Sequence, residues 1–181
     1  MKTTRQFERW AGLLSSVWVA LALNACAVVD RSDNASAPLD KNASWTVLPI
    51  TNRTETPQAG LRASAIAQSL LTSGGVALTR YPDSGDEETL FDTAKPGIDT
   101  KALAWARSQN VRYALTGTVT EWRYKVGVDG EPAVGLTFDV VDVASGKVVW
   151  SAAGSRTGWS RDALSGVAQK LEKELLGALT K

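Results

Sequence analysis

Histidine is absent from the 181 residues, and cysteine occurs once, at Cys26. Without imidazole groups, the chain lacks the most common general bases and the most common zinc and iron ligands. A single cysteine also cannot supply the spaced thiolate ligands of a structural metal site or an intramolecular disulfide. Any enzymatic chemistry would therefore depend on carboxylates, lysine or serine.

A strong bias in charge is also missing. The chain has 20 Lys and Arg residues and 19 Asp and Glu residues, for a formal net charge of +1. Removing residues 1–25 removes Lys2, Arg5, Arg9 and Glu8, which leaves 17 basic and 18 acidic groups and a net charge of −1. No basic nucleic-acid footprint exists, and no nucleic-acid partner is expected.

The amino-terminal residues have the pattern of an export signal. Lys2, Arg5 and Arg9 form a basic start, and an apolar run extends from Ala11 to Leu23. As a helix, this run is about 20 Å long, whereas a hydrocarbon core is about 30 Å thick. Residues 1–25 are therefore predicted to be a secretory signal and not a membrane span.

The end of this signal, Leu23-Asn24-Ala25-Cys26, resembles a bacterial lipobox. In such signals the cysteine becomes the new amino terminus and carries three acyl chains, each stabilised in lipid by about 0.8 kcal/mol per buried methylene. Ala27 stands where an aspartate would be the usual inner-membrane retention signal. The expected location is the periplasmic face of the outer membrane, with the covalent lipid on Cys26 and no other cofactor. The alternative is an ordinary cleaved secretory peptide and a free thiol.

The rest of the chain divides into a tether and one domain. Residues 26–43, which begin with the acylated cysteine, are small, polar and charged without a sustained period, and this composition predicts a flexible tether. Residues 44–181 are sufficient for one periplasmic domain with a single core and no disulfides.

Periodicity in residues 44–181 predicts an α/β (α+β) domain. Helices that alternate early with strands indicate parallel pairing, and the later run of strands indicates an antiparallel meander, so we expect a single mixed sheet with packed helices. The predicted order is β-α-β-α-β-β-β-α, with strands at 45–50, 76–79, 113–125, 132–143 and 147–154 and helices at 57–73, 99–109 and 160–179.

Side-chain patterns also predict burial. Leu61, Ile66 and Leu70, together with Ala65, share one face of the first helix and are expected to form its apolar side. Asp99 or Thr100 is expected to cap the second helix, with Leu103 and Ala106 facing inward. In the last helix, which Ser160 is expected to cap, Val167, Leu171 and Leu175 are expected to face inward and Glu172 to face water beside Lys170, Lys173 and Glu174. Trp122 and Trp150 have the spacing of core residues, which we favour over sugar-stacking platforms, and Trp45 and Trp105 are expected to be core as well.

The segment from Val111 to Ala168 resembles the PelC family, the outer-membrane lipoproteins of bacterial Pel exopolysaccharide secretion. The most specific pieces are EWRYK at 121–125, GEPAVG at 130–135 and GWS at 158–160, and the match is looser from Trp45 to Ile66. The resemblance implies a fold similar to the anticodon-binding-like domain of curli-secretion (CsgG-like) lipoproteins. It further implies a homo-oligomer ring, a dodecamer, that works with a PelB-like β-barrel/TPR exporter of a cationic polysaccharide and has no enzymatic activity.

The resemblance also implies roles for individual residues. Asp129, in the turn Gly127-Val128-Asp129-Gly130, would line an acidic lumen with Glu131, although aspartate before glycine is also an ordinary hairpin turn. In a ring of identical subunits, each carboxylate occurs once per subunit around the lumen, and the combined negative field attracts a polycation. Trp159 would contact the membrane, because indole prefers the headgroup region, unless it packs as a hydrophobic staple. The acids at 86–88 are further lumen candidates or solvated loop charge.

Two other functions remain open. The same fold family contains lipoprotein activators of peptidoglycan synthases, but the 17 residues from Ala27 to Ala43 span no more than about 3.6 Å each, too little to cross the periplasm. An envelope glycosidase would pair Glu121 with Asp129 or Glu131 at about 5 Å or 6.5–9.5 Å. Four nearby cations are expected to pair with an adjoining subunit or to be solvated: Arg123, Lys125, Arg156 and Arg161.

Overall fold

A computed structural model describes residues 27–33, 39–82, 99–127 and 130–180. These residues form one five-stranded mixed sheet and three helices, which confirms the predicted α+β class. The strands are β1 (Ala27–Asp33), β2 (Trp45–Asn52), β3 (Tyr113–Tyr124), β4 (Pro132–Asp142) and β5 (Lys147–Thr157). The helices are α1 (Ala59–Ser73), α2 (Thr100–Ser108) and α3 (Leu164–Leu176).

The sheet has the order β1-β5-β4-β3-β2. β2 and β3 are parallel, and the other neighbouring pairs are antiparallel, so the predicted meander of the last three strands is confirmed. In β4, Leu136 and Phe138 are buried, whereas Thr137 and Asp139 are partly exposed. This alternation directs Leu136 and Phe138 to one face of the sheet, where the larger core lies.

Helices cover both faces of the sheet. α1 and α3 enclose the larger core, which includes Trp45, Trp122 and Trp150, so these three tryptophans are core residues as predicted. α2 covers the other face over a smaller core around Leu48 and Val141. Trp105 on α2 is only partly buried, with its ring edge-on to Tyr81.

The helix α2 begins and packs as predicted. The carboxylate of Asp99 accepts hydrogen bonds from the backbone N–H groups of Lys101, at 2.8 Å, and of Ala102. This contact satisfies donors that have no partner within the helix. Leu103 and Ala106 are buried, which confirms the predicted inner face.

Three predicted elements differ in the structure. Residues 27–33, predicted as part of a tether, form the edge strand β1, with Ala27 opposite Arg156. The predicted strand at 76–79 is reduced to a single bridge between Leu78 and Trp45. α1 starts at Ala59, two residues later than predicted, because Gln58 adopts a left-handed conformation with φ of 58°.

Two predictions of burial are wrong. The buried face of α1 consists mainly of small residues, and Leu61 on the expected apolar face is 50% exposed. In α3, Val167, Leu171 and Leu175 are buried as expected. Glu172, predicted to face water, has an exposed fraction of 0%.

Candidate functional site

Three candidate segments meet at one end of the sheet, which we call the hairpin end. It comprises the described part of the β3–β4 connection (residues 125–127 and 130–131), the segment 158–163 that links β5 to α3, and the start of β1. Tyr124 pairs with Pro132, Ala133 pairs with Thr157, and Ala27 pairs with Arg156. Strand register therefore places Glu131, which directly precedes Pro132, and the Trp159 corner at the same end of the sheet.

Glu131 is the one residue of the predicted acid pair that the structure describes, since Asp129 lies outside the described residues, as do Cys26 and the acids at 86–88. The Lys125 Nζ lies 3.9 Å from the Glu131 Oε2 and donates a hydrogen bond to the Thr157 hydroxyl at 3.1 Å. The Lys125 N–H also donates to the Glu131 carbonyl at 2.7 Å. A cation thus opposes the Glu131 carboxylate, which weakens its contribution to a negative field.

Glycine has a conformational role in the β3–β4 connection. Gly130 has a φ of 51°, in the left-handed region that other residues adopt at a cost. A Cβ at Gly130 would meet nothing within 4 Å, so the requirement is for backbone freedom and not for space. This conformation agrees with the turn predicted from the sequence.

The corner at Trp159 has a firmly held backbone and an exposed side chain. The Trp159 N–H donates to the Asp162 carboxylate at 3.0 Å, and the Asp162 N–H donates to the Trp159 carbonyl at 2.8 Å. Gly158 is packed so closely that a Cβ would lie 2.5 Å from the Val167 Cγ2. The indole nevertheless remains 61% exposed, unlike a staple buried across the start of a helix.

Tyr124 ties the hairpin to α3. Its hydroxyl accepts a hydrogen bond from the Leu164 N–H at 3.2 Å, at the first residue of the helix. Ser160, the predicted N-cap of this helix, does not occupy the N-cap position. The N-cap residue is Ala163, which makes no side-chain hydrogen bond to the helix. Sequence reasoning missed Tyr124 because the contact joins residues 40 positions apart.

Most cations of the hairpin end have partners within the chain. Arg123 Nε lies 3.0 Å from the Glu121 carboxylate, and Arg156 pairs with Glu174 on α3. Lys125 pairs with Glu131. Three of the four cations that were expected to pair with an adjoining subunit or to be solvated therefore contact carboxylates of their own chain. The fourth, Arg161, is exposed. Glu121 and Glu131, considered as glycosidase carboxylates, each lie beside a cation.

The described ranges, 27–33, 39–82, 99–127 and 130–180, offer neither a metal site nor a membrane-spanning helix. They contain no group of three or more acidic, Cys or His side chains that could hold a metal ion. None of the helices there has the length and apolar character needed to cross a bilayer.

A solved PelC structure matches the chain over most of its length. The PelC dodecamer from Paraburkholderia phytofirmans is 44% identical, and the alignment covers 86% of this chain and 98% of that chain with a TM-score of 0.71. No protein-family model and no curated protein matches the chain.

More distant structures share the fold alone. The lipoprotein GNA1162 from Neisseria meningitidis is 23% identical, with coverage of 73% of this chain and 94% of that chain and a TM-score of 0.53. The protein CT253 from Chlamydia trachomatis is 13% identical, covers 77% of this chain and 96% of that chain, and also has a TM-score of 0.53.

Proposed function

The chain belongs to the PelC family, and from this membership we propose that it is an outer-membrane lipoprotein, acylated on Cys26, that guides a cationic exopolysaccharide to an export barrel. Copies of the chain form a closed ring, and its PelB-like partner receives the polymer. The observation that carries this proposal is the 44% identity to a PelC that was crystallised as a dodecamer, over 98% of that chain.

The ring acts through electrostatics and geometry, without breaking or forming covalent bonds. Each subunit contributes the hairpin with Asp129 and Glu131, and closed symmetry repeats these carboxylates around the passage. Because Lys125 opposes Glu131, we assign the larger share of the negative field to Asp129. A low-dielectric wall around the passage would focus this field on the moving polycation.

Trp159 and the acyl chains on Cys26 hold the ring to the periplasmic face of the outer membrane. The exposed indole at the hairpin end supports this assignment, since an amphipathic ring is favoured at a membrane–water interface. The edge strand β1 further weakens the alternative of a peptidoglycan synthase activator. Its residues 27–33 are paired with β5, which shortens the free chain between Cys26 and the domain.

Charge reversal at Asp129 tests the guiding function. We expect Asp129→Lys to reduce polymer export strongly and Asp129→Asn to have an intermediate effect, because the first change inverts the field and the second only removes it. Export is measured as secreted polymer per unit of membrane-bound protein, with ring formation verified in the same cells. A turn-tip substitution changes the free energy of unfolding by no more than about 0.5 kcal/mol.

The matched control is Asp40→Lys, which makes the same change in net charge at an exposed position before β2, at the opposite end of the sheet. This variant should export normally. Normal export by Asp129→Lys, with the ring intact, would remove the acidic passage from the mechanism.

A further inference from the structure

A groove lies between α1 and α3 on the surface of the domain, and we call it the α1–α3 groove. It has a volume of about 570 Å³ and is lined by side chains of both helices. Its α1 wall is apolar and contains Ala65, Ile66 and Leu70, which belong to the face that the sequence predicted to be the apolar side of this helix. Leu61, one turn earlier on that face, is half exposed. α1 therefore packs small residues on the sheet and presents a second apolar side to the groove.

The α3 wall of the groove is basic. Lys170 and Lys173 line it, and both side chains are exposed. Within the described part of the chain, neither lysine has an ion-pair partner, whereas Arg156 is paired with Glu174 of the same helix. No carboxylate is found among the described residues that line the groove. An apolar wall beside unopposed positive charge fits an acidic segment that carries apolar side chains.

The chain itself contains a segment of the complementary composition. Residues 83–92 include five acidic residues and no basic one, and Leu90 and Phe91 are their large apolar residues. This segment lies outside the described residues. Its acidic groups complement the two lysines of the groove, and Leu90 and Phe91 complement the apolar wall.

The described residues on either side of this segment belong to the opposite face of the sheet. The ring of Tyr81 packs edge-on against Trp105 of α2, with the ring centroids 4.9 Å apart. Asp99, where the described chain resumes, caps α2. Because α2 covers the face opposite to α1 and α3, the attachment points of the segment and the α1–α3 groove are on opposite sides of one subunit.

A ring needs exactly this kind of asymmetry in each subunit. Every contact in a cyclic assembly joins one patch of a copy to a different patch of the next copy. The eight residues from Asp83 to Leu90 span up to about 28 Å when extended. Leu90 and Phe91 are therefore within reach of a groove on an adjoining copy.

We propose that residues 83–92 of one copy occupy the α1–α3 groove of the next copy in the ring. The acids at 86–88 lie against Lys170 and Lys173, and Leu90 and Phe91 lie against the apolar wall. This contact rests on the ring of the proposed function, and it gives the acids at 86–88 a role between subunits instead of in the lumen. The same contact, repeated from copy to copy, closes the ring.

Charge reversal in the full lipidated protein tests the contact. A groove variant carries Lys170→Glu and Lys173→Glu, and a segment variant carries Glu87→Lys and Glu88→Lys. Each protein is reconstituted into phosphatidylcholine vesicles, and rings are counted by electron microscopy. We expect each variant alone to form at least about tenfold fewer rings than the wild type, because the facing charges become alike.

The matched control carries Lys147→Glu and Arg161→Glu. It makes the same change in net charge as the groove variant, at two exposed positions that do not line the groove. This control should form rings as the wild type does. Normal ring formation by the groove variant, or an equal loss in the control, would overturn the proposal.

Mixing the two variants distinguishes a contact between copies from a contact within one chain. The acidic segment of the groove variant fits the basic groove of the segment variant, and the reversed segment fits the reversed groove. An equimolar mixture should therefore recover rings of alternating copies. A contact within one chain predicts no recovery, and that result would overturn the proposal.

A photo-crosslinker at position 91 locates the occupied surface directly. Full-length chains with p-benzoylphenylalanine in place of Phe91 are prepared with and without isotope labelling, mixed in vesicles and irradiated. We expect mixed-isotope peptides that join position 91 to residues 65–70 or 166–173. Cross-links within one chain, or to another surface of the neighbouring copy, would overturn the proposal.

The outcomes separate this inference from the proposed function. Rings of the groove variant that export polymer normally would reject the contact and leave the guiding function intact. Recovery of rings in the mixture, combined with normal export by Asp129→Lys, would retain the contact and reject the guiding function.

Discussion

Helices α1 and α3 lie on the same face of the sheet, yet they bury opposite kinds of residues. α1 packs through Ala59, Gly60, Ala63, Ser64, Ala67 and Leu71 and leaves Leu61 half exposed. α3 packs through leucines and also buries an ionisable residue, Glu172. Hydropathy alone therefore does not decide which face of a helix is buried.

The distance to the sheet explains the behaviour of α1. A Cβ at Gly60 would lie only 2.1 Å from the Ile50 carbonyl oxygen of β2. A helix that approaches a strand this closely has room only for small side chains in its first turns. The side chain of Leu61 therefore points outward, although an apolar side chain favours burial.

In α3 the reverse occurs, because the ionisable side chain of Glu172 is buried. Both carboxyl oxygens are buried, and neither has a hydrogen-bond partner within the described structure. Burial raises the pKa of Glu172 from its ordinary value of 4.5 to about 9. The carboxyl group is therefore protonated at neutral pH, which avoids an unpaired charge in the core.

The largest expected effect is a pH dependence of stability through Glu172. Between pH 4.5 and pH 9 the unfolded chain binds fewer protons at this group than the folded chain. The free energy of unfolding should therefore fall as the pH rises through this window, by up to about 1.4 kcal/mol per pH unit, and should level off above it. Urea unfolding midpoints across the window measure the slope.

Glu172→Gln should flatten this slope, because the amide does not titrate. Glu174→Gln on the same helix, where the side chain is partly exposed, should retain it. Equal slopes for the wild type and Glu172→Gln would show that the carboxyl is charged in the folded protein, and the contrast between α1 and α3 would then weaken.

A smaller effect is expected for added methyl groups. Gly60→Ala should lower the free energy of unfolding by about 1–3 kcal/mol, because the new Cβ collides with backbone that cannot rotate away. Gly166→Ala in α3 is the matched control, since nothing lies within 4 Å of its Cβ position. The control should be neutral or stabilising by up to about 1 kcal/mol. Similar losses in both variants would refute the close approach of α1.

The smallest effect is expected for Leu61→Gln in α1. Half of the leucine is already in water, so the free energy of unfolding should change by no more than about 0.5 kcal/mol. Thermal and urea unfolding are sufficient to measure this change. Truncating a buried leucine to alanine lowers the free energy of unfolding by about 2–5 kcal/mol. A loss of that size in Leu61→Gln would show that Leu61 is buried, as the sequence predicts.

Some elements could be predicted because their signals are local. The alternation of buried and partly exposed residues at 136–140 and the aspartate before α2 depend on neighbours within a few residues, and both are seen in the structure. Residues 132–136 do not alternate and are buried throughout. β1 has no comparable signal, since its hydrogen bonds come from β5, more than 100 residues away. Within the candidate site, sequence reasoning selected Glu131 and Trp159 but not their contacts with Lys125 and Asp162.

The class of fold, the meander of three strands and the resemblance to the family could be predicted from the sequence alone, because periodicity and short motifs are read along the chain. Only the packed structure reveals which residues of α1 and α3 are buried, that Glu172 lies in the core, and that Glu131, the Trp159 corner and the start of β1 share one end. These features depend on strand register and on the distance between packed elements, which arise only when segments far apart in the chain come together.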